Sequence, residues 1–410
     1  MEIERTDVIS NLSTKNNKPY FDLSDVSPYA APIARKVVEG ICNVSTNTLV
    51  KHEMSGFITP LKVKNGSRDL IFYSPEDVLK IMRSKGVSFK KGKDAEVVMI
   101  WSQKGGTGKS SYSQHLSSFL SLIGGKVLVI DLDPQADVSS LLRGFKESKD
   151  IILNEDELDP TLAEIMDWTL KDGSDSGYRR LQDKEVIKEL TPNLHLIPSG
   201  LDLGEINFSL NRLEFSDRFF ADGSRKQPPE LYMIKDVIDR LKPQYDFIIF
   251  DCGPNIETCN ISAMLAANRI LIPLEVESKT MLIIKRNHEI LNKIRRLNPN
   301  FKFDKILISP NKHRVGEVIK TKALWALQEA YKDSNDIQLS DIVIPSSVII
   351  DKCAESREPV YHMAGKFGKE AKATAQSARE FTNYFFAMIH ELFDVPLDHL
   401  VFSQPQELEV

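Results

Sequence analysis

Residues 104–110 read Lys-Gly-Gly-Thr-Gly-Lys-Ser and directly follow the apolar run Val97-Val98-Met99-Ile100-Trp101. The apolar run predicts a buried strand, and apolar residues at helical spacing between Leu116 and Ile123 predict a helix after the glycine-rich turn. Glycines let backbone N–H groups converge on an anion, and the helix points its positive N-terminus at the same place. The stretch therefore predicts a cradle for the phosphates of a nucleoside triphosphate.

Two lysines stand in this turn. We expect Lys109 to neutralise the outer phosphates and the Ser110 hydroxyl to ligate Mg²⁺. The usual P-loop has a glycine five residues before Gly108, but this chain has Gln103 there, followed by a second lysine, Lys104. An ordinary glycine-rich surface loop is the alternative, and the flanking strand and helix disfavour it. The predicted nucleotide-binding residues are Lys104, Gly105, Gly106, Thr107, Gly108, Lys109, Ser110 and Ser111, with Asn311 as a candidate adenine contact.

Two further apolar runs end in acidic residues. The run 126–130 leads into Asp131-Leu132-Asp133-Pro134-Gln135, and the run 246–250 leads into Asp251-Cys252-Gly253-Pro254. Acids at the carboxyl end of a parallel strand beside a phosphate site usually serve a metal ion or a water molecule. Either strand end taken alone also fits a helix N-cap. Together with the P-loop they predict a Mg²⁺ site formed by Ser110, Asp131 and Asp251.

Strand-like and helical stretches alternate through the rest of this region. Further strand candidates are residues 194–197, 269–274, 305–309 and 342–344. This alternation predicts an α/β fold with a mostly parallel sheet. Residues 143–230 are polar, and we expect helices and loops there.

A small module precedes the P-loop. Residues 31–42 and 46–54 predict two helices around the turn Asn43-Val44-Ser45, which is a helix-turn-helix skeleton. Asn65-Gly66 between two strand-like runs predicts a hairpin, and Ser74-Pro75 begins a further helix. This order resembles the winged helix of MerR-type regulators. A helical subdomain that touches no DNA is the alternative. The candidate DNA contacts here are Thr46, Asn47, Lys51, His52, Lys62, Lys64 and Arg68.

The charge is distributed unevenly along the chain. Residues 1–94 hold 15 Lys and Arg against 11 Asp and Glu, whereas the remainder holds 38 against 47. A basic N-terminal region on an acidic body suggests a nucleic-acid surface, although a solvated basic face is also compatible with it. No apolar run approaches the length of a membrane span, and the first residues do not resemble a signal peptide. Four cysteines without metal-type spacing suggest reduced, buried thiols in a cytoplasmic protein.

The motifs in their order resemble the ParA partition ATPases. The resemblance rests on Lys-Gly-Gly-Thr-Gly-Lys-Ser, Asp-Leu-Asp-Pro-Gln, Asp-Cys-Gly-Pro, the stretch 194–199 and the stretch 344–347. It covers roughly residues 95–365, and the N-terminal helix-turn-helix makes the chain similar to the long ParA subgroup. It implies that Lys104 is the signature lysine that reaches the partner's phosphates in an ATP-sandwich dimer. It also implies that Asp133 positions the attacking water with support from Asp131, and that Asp251 is the Walker B acid.

The same resemblance implies a cellular role. ATP would drive dimerisation, the dimer would bind non-specific DNA of the nucleoid, and a ParB-type centromere-binding partner would stimulate hydrolysis to ADP. Relatives of the long subgroup also repress their own operon by binding operator DNA. Many relatives carry a basic residue where this chain has Ser346, so other cations would have to contact DNA, with Lys312, Arg314, Lys320, Lys352 and Arg357 as candidates. Each of these also fits a solvated surface charge.

Three other functions stay open or are disfavoured. A nucleotide-responsive repressor without a partition role fits the same motifs. A MinD-like membrane ATPase would need a basic amphipathic C-terminal helix, but residues 391–410 hold five acids and no Lys or Arg. A nitrogenase-reductase-like role would need Cys252 and Cys259 to ligate a cluster, and packing is the simpler role for both.

The predicted organisation has five parts. These are an arm or dimerisation segment (1–30), a winged helix-turn-helix (31–84), a linker (85–95), a deviant Walker A P-loop ATPase domain (96–393) and an acidic tail (394–410).

Overall fold

The structure is a computed structural model. It describes residues 12–15, 18–21, 27–65, 67–87, 89, 94–143, 161–172, 179, 181, 186–206, 232–255, 257–277, 279–297, 302–313, 317–334, 336–363 and 371–394.

A nine-stranded sheet forms the centre of the chain. The strands are β6 (Glu96–Ile100), β7 (Val127–Leu132), β8 (Lys188–Thr191), β9 (Leu194–Ile197), β10 (Phe247–Cys252), β11 (Arg269–Glu275), β12 (Lys305–His313), β13 (Gln338–Leu339) and β14 (Ile344–Pro345). Their order in the sheet is β13-β12-β11-β6-β10-β7-β9-β8, with β14 paired to β12. Every pairing is parallel except that of β8 with β9.

Helices cover both faces of this sheet. The strands β6, β7 and β10 are buried along almost their whole length, which explains their continuous Val, Ile and Leu runs. The α-helices that accompany the sheet are α4 (Lys109–Leu122), α5 (Leu162–Asp172), α6 (Met233–Leu241), α7 (Thr258–Ala266), α8 (Thr280–Leu297), α9 (Val318–Tyr331), α10 (Val348–Ser356), α11 (Val360–Met363) and α12 (Ala371–Phe393). Within the part of the chain described above, none of these helices is long and apolar enough to cross a membrane.

The N-terminal module contains a helix-turn-helix and a hairpin. Helices α1 (Arg35–Cys42) and α2 (Thr46–Met54) are followed by the antiparallel strands β4 (Leu61–Asn65) and β5 (Arg68–Tyr73) and by α3 (Pro75–Ser84). The Ser45 hydroxyl accepts the N–H of Thr48 and the Ser74 hydroxyl accepts the N–H of Asp77, so both helices have N-caps. These elements lie where the sequence predicts them.

The first predicted helix begins later than expected. Ile33 and Ala34 form a short strand, β3, that pairs with Tyr73 and Phe72 of β5. The helix itself begins at Arg35, and its apolar residues Val37, Val38 and Ile41 are buried. The predicted start of the helix at residue 31 is therefore too early. A strand of two residues is too short to show a periodic pattern in the sequence.

The N-terminal module and the central sheet share one hydrophobic core. Ile33, Val78 and Met82 belong to the same buried cluster as Phe119 of α4 and Phe385 of α12. The predicted linker takes part in this packing. Val87 is buried, and the ring of Phe89 packs edge-on against Phe247 at a centroid distance of 5.1 Å. Two residues of the predicted linker over 85–95 are therefore packed against the rest of the protein.

Three other expectations change in detail. Residues 12–15 (β1) and 18–21 (β2) pair as an antiparallel hairpin, so the described part of the N-terminal arm is not a dimerisation helix. The polar region 143–230 contains the edge strand β8, which the sequence did not indicate. Asp394, the first residue of the predicted acidic tail, is bound by Arg269 and Lys305. Residues 395–410 lie outside the described part of the chain.

Candidate nucleotide site

The glycine-rich loop lies between the central strand β6 and helix α4. Gly106 and Gly108 have left-handed backbones, with φ of 71° and 87°. A side chain there would be strained, so the sequence uses glycine. A Cβ atom built on Gly105 or Gly106 would meet no atom within 4 Å. The loop therefore leaves open space in front of its backbone, as a phosphate cradle requires.

Lys109 lies inside this cradle. Its side chain is buried, and its Nζ donates to the carbonyl of Lys104 at 3.3 Å. Burial lowers the pKa of Lys109, while the carboxylates of Asp251 and Asp133 oppose that shift. The amino group is thus held at the loop and faces both acids that the sequence singled out.

Asp251 ends β10 beside the start of α4. Its Oδ1 accepts from the Ser113 hydroxyl at 2.7 Å, and the Ser110 hydroxyl also bonds to this carboxylate. Its Oδ2 has no hydrogen-bond partner among the residues that the structure describes, although the residue is fully buried. Burial raises the pKa of Asp251. A buried carboxylate oxygen without a partner beside a serine hydroxyl fits a Mg²⁺ ion held directly or through its waters.

The Asp131 carboxyl is hydrogen-bonded to the loop and helix that follow it. Its Oδ1 accepts the N–H of Asp133 at 3.0 Å, and its Oδ2 accepts both the N–H and the hydroxyl of Ser139, at 3.0 and 2.6 Å. Both oxygens are therefore engaged, and the carboxyl is fully buried. These contacts hold the carboxyl within the protein, and its predicted role as a Mg²⁺ ligand stays a prediction. They fit a residue that fixes the loop carrying Asp133.

Asp133 is the acid that remains partly open to solvent. It lies close to Gly253, because a Cβ on Gly253 would be 3.4 Å from the Asp133 Cγ. Its Oδ1 accepts the N–H of Gln135 at 3.1 Å. The structure thus brings Asp133, Asp251 and Lys109 together, although Asp251 is far from the other two in the chain.

Asn311 supports the loop from the end of β12. Its Nδ2 donates to the carbonyl of Thr107 at 2.7 Å, while its Oδ1 is buried without a partner among the described residues. Lys312 has a left-handed backbone, and its Nζ donates to the carbonyl of Gly106 at 2.6 Å. The sequence indicated Asn311 only as an adenine contact, and that role stays a prediction. Its function as a brace of the P-loop was missed, since no local pattern links residues 107 and 311.

The loop, Lys109 and Asp251 together provide groups that can bind a Mg²⁺–nucleotide. Among the described residues, no cluster of three or more His, Cys, Asp and Glu could hold a metal ion alone. Mg²⁺ is commonly held by one or two protein groups together with substrate phosphates. An open glycine cradle, a buried lysine and an unpaired carboxylate oxygen match that arrangement. Ser110 and Asp251 are the residues that would hold the ion.

Comparisons with known proteins show the family of the chain. A family model described as "AAA domain" matches residues 95–303, which is just over half of the chain. The chromosome partitioning protein ParA of Myxococcus xanthus is 23% identical over 269 residues, covering 64% of this chain and 80% of its own length. The chain is a ParA-type member of this AAA-domain family.

A second relative is more similar but aligns over less of its length. The "Putative replication protein A" of Rhizobium rhizogenes is 30% identical over 226 residues, which cover 52% of this ParA-type chain and 49% of that protein. The chain thus spans about half the length of this relative. The solved structure of a Cyanothece McdA variant in complex with ATP covers 72% of this chain and 97% of its own, with a TM-score of 0.51 and 20% identity. At that identity the likeness shows a shared fold.

Lys104 does not lie over the phosphate cradle of this ParA-type chain. Its Nζ contacts Glu275 Oε2 at 2.7 Å and Glu277 Oε1 at 3.0 Å, at the end of β11. Its backbone carbonyl, by contrast, accepts from Lys109. The predicted contact with a partner's phosphates would require the side chain to leave both glutamates.

The predicted DNA-binding residues of the N-terminal module are distributed over helix α2 and the two strands of the hairpin, β4 and β5. Asn47 and Lys51 are exposed on α2, and Lys62 and Lys64 are exposed on β4 on either side of the buried Val63. Two candidates are engaged within the module. The Thr46 hydroxyl donates to Glu39 at 2.5 Å, and the His52 ring packs against Phe57 at 5.0 Å. The side chain of Arg68 lies outside the described part.

Two of the five C-terminal DNA candidates, Lys352 and Arg357, are on α10 or at its end. Lys312 is on β12, Lys320 of α9 donates to the carbonyl of Lys312 at 2.9 Å, and Arg314 lies outside the described residues. Lys352 is exposed, and its Nζ is 3.4 Å from the Thr374 hydroxyl. Arg357 is half-buried, has a left-handed backbone and ends α10. Burial lowers the pKa of Arg357. Arg357 is thus partly a helix cap, and Lys352 is the more accessible of the two cations. All four cysteines are buried and none forms a disulfide, as the sequence indicates.

Proposed function

We propose that this chain is a Mg²⁺-dependent ATPase that uses ATP binding and hydrolysis to control its attachment to DNA. The observation that carries the proposal is the meeting of the P-loop, Lys109, Asp133 and Asp251 at one edge of the sheet. The ParA-type motifs and the ATP complex of the McdA structure support ATP as the nucleotide.

Each residue of the nucleotide site has a separate role in the proposed hydrolysis of ATP. The loop N–H groups and Lys109 bind and neutralise the β- and γ-phosphates, and Ser110 and Asp251 hold Mg²⁺, which supplies charge neutralisation at the phosphates when it is bound. Asp133 orients a water molecule for in-line attack on the γ-phosphorus. The bond to the ADP leaving oxygen then breaks, and the water's proton leaves through Asp133. Lys104 of one protomer stabilises the charge on its partner's phosphates after it releases Glu275 and Glu277.

The proposed cellular role is DNA partition. An ATP-bound homodimer binds non-specific DNA, with Lys352 and Arg357 as candidate contacts, and a ParB-type centromere-binding protein stimulates hydrolysis. ADP then favours release. Localisation on the nucleoid in the cytoplasm, without membrane attachment, follows from this role.

A second function is favoured by the helix-turn-helix. The exposed Asn47 and Lys51 on α2 and Lys62 and Lys64 on β4 suit contacts to base edges and phosphates. The module would repress the operon that encodes the chain. The alternative to partition is a repressor that responds to nucleotide and has no partition role.

Binding and hydrolysis of ATP test the enzymatic part. Lys109→Gln should weaken binding of a fluorescent ATP analogue about 30- to 100-fold, because a charge-assisted contact to phosphate is lost. Lys235→Gln is the matched control, since this lysine pairs with Asp239 on the surface of α6. Release of phosphate from ATP by the wild type, dependent on Mg²⁺ and absent in Lys109→Gln, supports the proposal. Equal affinity of both lysine variants for the analogue would refute it.

A gel shift separates the two DNA functions. Random-sequence DNA and the DNA upstream of the chain's own gene are compared with ATP, with ADP and without nucleotide, over a series of salt concentrations. ATP-dependent binding to random DNA that Lys109→Gln abolishes supports partition. Specific binding to the upstream DNA without ATP-dependent binding to random DNA selects the repressor.

A further inference from the structure

Tyr29 belongs to the N-terminal module but is buried against the ATPase strands and helices. It lies in the 3₁₀ turn Pro28–Ala30, immediately before β3, and only 4% of its surface is exposed. Its ring belongs to the core cluster that joins the module to α4 and α12. The position is notable for its polar group, since a hydroxyl in an apolar core must find hydrogen-bond partners.

The Tyr29 hydroxyl joins two separate segments of the ATPase region. Gln114 of α4 donates its Nε2 to this oxygen at 3.0 Å, and the hydroxyl in turn donates to the carbonyl of Leu141 at 3.1 Å. Gln114 is itself buried. Burial raises the pKa of Tyr29, so the phenol stays protonated and keeps its donor at neutral pH.

Both of these segments begin at the nucleotide site. Helix α4 starts at Lys109, fewer than two turns before Gln114. Residues 137–143 are helical and directly follow the loop of Asp133, and Ser139 among them holds Asp131 through two hydrogen bonds. The Leu141 carbonyl that accepts from the Tyr29 hydroxyl lies in this helical segment. Movement of either segment relative to the other must therefore change the contacts of the Tyr29 hydroxyl.

Within the N-terminal module, Tyr29 is connected to α2, the helix that carries candidate DNA contacts. Four residues further along the chain, Ile33 of β3 pairs with Tyr73 of β5. The Tyr73 hydroxyl donates to Glu53 of α2 at 2.5 Å, and Arg35 binds both of these groups. A continuous set of hydrogen bonds and strand pairing thus runs from the P-loop helix to α2.

We infer that Tyr29 is a positioning residue that couples the nucleotide site to the N-terminal module through its hydroxyl. Nucleotide binding that shifts α4 against segment 137–143 changes the position of Tyr29 and with it that of β3 and α2. Reciprocally, DNA bound to the module alters the placement of the Asp133 loop. The inference rests on the proposed function, because it requires nucleotide binding at the P-loop.

Hydrogen–deuterium exchange tests this coupling in the full chain. The probe is Mg²⁺–ADP, and the measured quantity is the change in amide protection that it causes. In the wild type, protection should change at the start of α4 and also in α2, β4 and β5. In Tyr29→Phe the response of α4 should persist, while that of the module should decrease about fivefold, the effect of losing one buried hydrogen bond.

Two further variants control for the loss of a buried hydroxyl and for the change of the tyrosine itself. Tyr331→Phe removes another buried hydroxyl, which bonds to His288 of α8 at 2.8 Å away from both segments, and should leave the module's response intact. Gln114→Met should reproduce the effect of Tyr29→Phe without altering the tyrosine. An unchanged module response in both Tyr29→Phe and Gln114→Met would overturn the inference, as would a wild type whose module ignores Mg²⁺–ADP while α4 responds. A wild type without any response at α4 would instead overturn the proposed function.

Discussion

Asp131 and Asp251 lie directly opposite each other on the neighbouring parallel strands β7 and β10. Burial raises the pKa of both carboxyls, and their mutual repulsion adds to this shift for Asp131. Both carboxyl oxygens of Asp131 accept hydrogen bonds from Asp133 or Ser139, whereas the Asp251 Oδ2 has no hydrogen-bond partner among the described residues. Two acids that look alike in the sequence therefore differ in how many partners their oxygens have in the fold, and we predict that only Asp251 acts on the ligand.

Asp251→Asn and Asp131→Asn should differ in their response to Mg²⁺. In Asp251→Asn the increase in nucleotide affinity that Mg²⁺ produces should shrink at least about tenfold, because an amide is a poor ligand for this ion. In Asp131→Asn that increase should persist, while thermal stability falls because its NH₂ group faces a backbone donor. Titration of a fluorescent nucleotide with Mg²⁺ and with a chelator measures both. The same loss of Mg²⁺ response in both variants would contradict this division.

Asp133→Asn should slow hydrolysis without weakening ATP binding. The amide cannot accept the water's proton, so we expect the single-turnover rate to fall about 10²- to 10³-fold. Asp236→Asn is the control, because this aspartate is exposed on α6. Rates from labelled ATP and affinities from equilibrium binding separate the two effects. A similar rate in both variants would remove Asp133 from the proposed mechanism.

His115 should make the protein less stable in mild acid. The residue is fully buried on α4, stacks on Phe385, and binds the Ser111 carbonyl through Nδ1. Burial lowers its pKa from 6.5 to about 4. The unfolded chain therefore takes up a proton as the pH falls through 6.5, while the folded chain does not until about 4. The stabilisation is complete above pH 6.5 and is lost as the pH falls toward 4.

A variant isolates this contribution from that of the carboxyl groups. His115→Phe keeps an aromatic ring against Phe385 and has no titrating group. Between pH 7 and pH 5 the wild type should lose about 2 kcal/mol more unfolding free energy than the variant. Urea denaturation at the two pH values measures the difference. Equal losses would show that the histidine is protonated in the folded state as well.

Arg269 should stabilise the docking of the last helix. Its Nε binds Glu96 at 2.9 Å, and its NH1 binds the Leu392 carbonyl at 2.9 Å at the end of α12. Arg269→Met should cost about 2–4 kcal/mol, because it leaves a carboxylate and a helix-terminal carbonyl without their cation. Lys235→Met, which breaks a more exposed pair on α6, should cost less than about 0.5 kcal/mol. Urea midpoints that moved equally in the two variants would refute the difference.

Lys62 and Lys64 should contribute to DNA affinity without setting the sequence read. Replacing either by Gln should reduce the slope of log affinity against log salt concentration by about 1, since each lysine displaces one counterion from DNA. Lys36→Gln serves as the control, because Lys36 pairs with Glu39 on the first helix. Fluorescence anisotropy with the upstream DNA gives the slopes. An unchanged slope in Lys62→Gln and Lys64→Gln would exclude the hairpin from the DNA interface.

The sequence by itself determined the main parts of the nucleotide site. The P-loop, the strand ends at Asp133 and Asp251 and the parallel sheet each follow from local patterns, because a buried strand must be apolar and a phosphate turn needs glycine. The helix-turn-helix was predictable for the same reason. Its capping serines and apolar faces act within a few residues, and short-range interactions leave short-range patterns.

Only the tertiary structure decided which distant residues are in contact and which polar atoms remain available to a ligand. It paired Asp131 with Asp251, turned Lys104 toward Glu275 and Glu277, placed Asn311 against Thr107 and buried the Tyr29 hydroxyl between Gln114 and Leu141. These contacts join residues far apart in the chain, so no spacing encodes them. A carboxylate's role depends on whether its oxygens already have partners, and that is settled by packing across the whole fold.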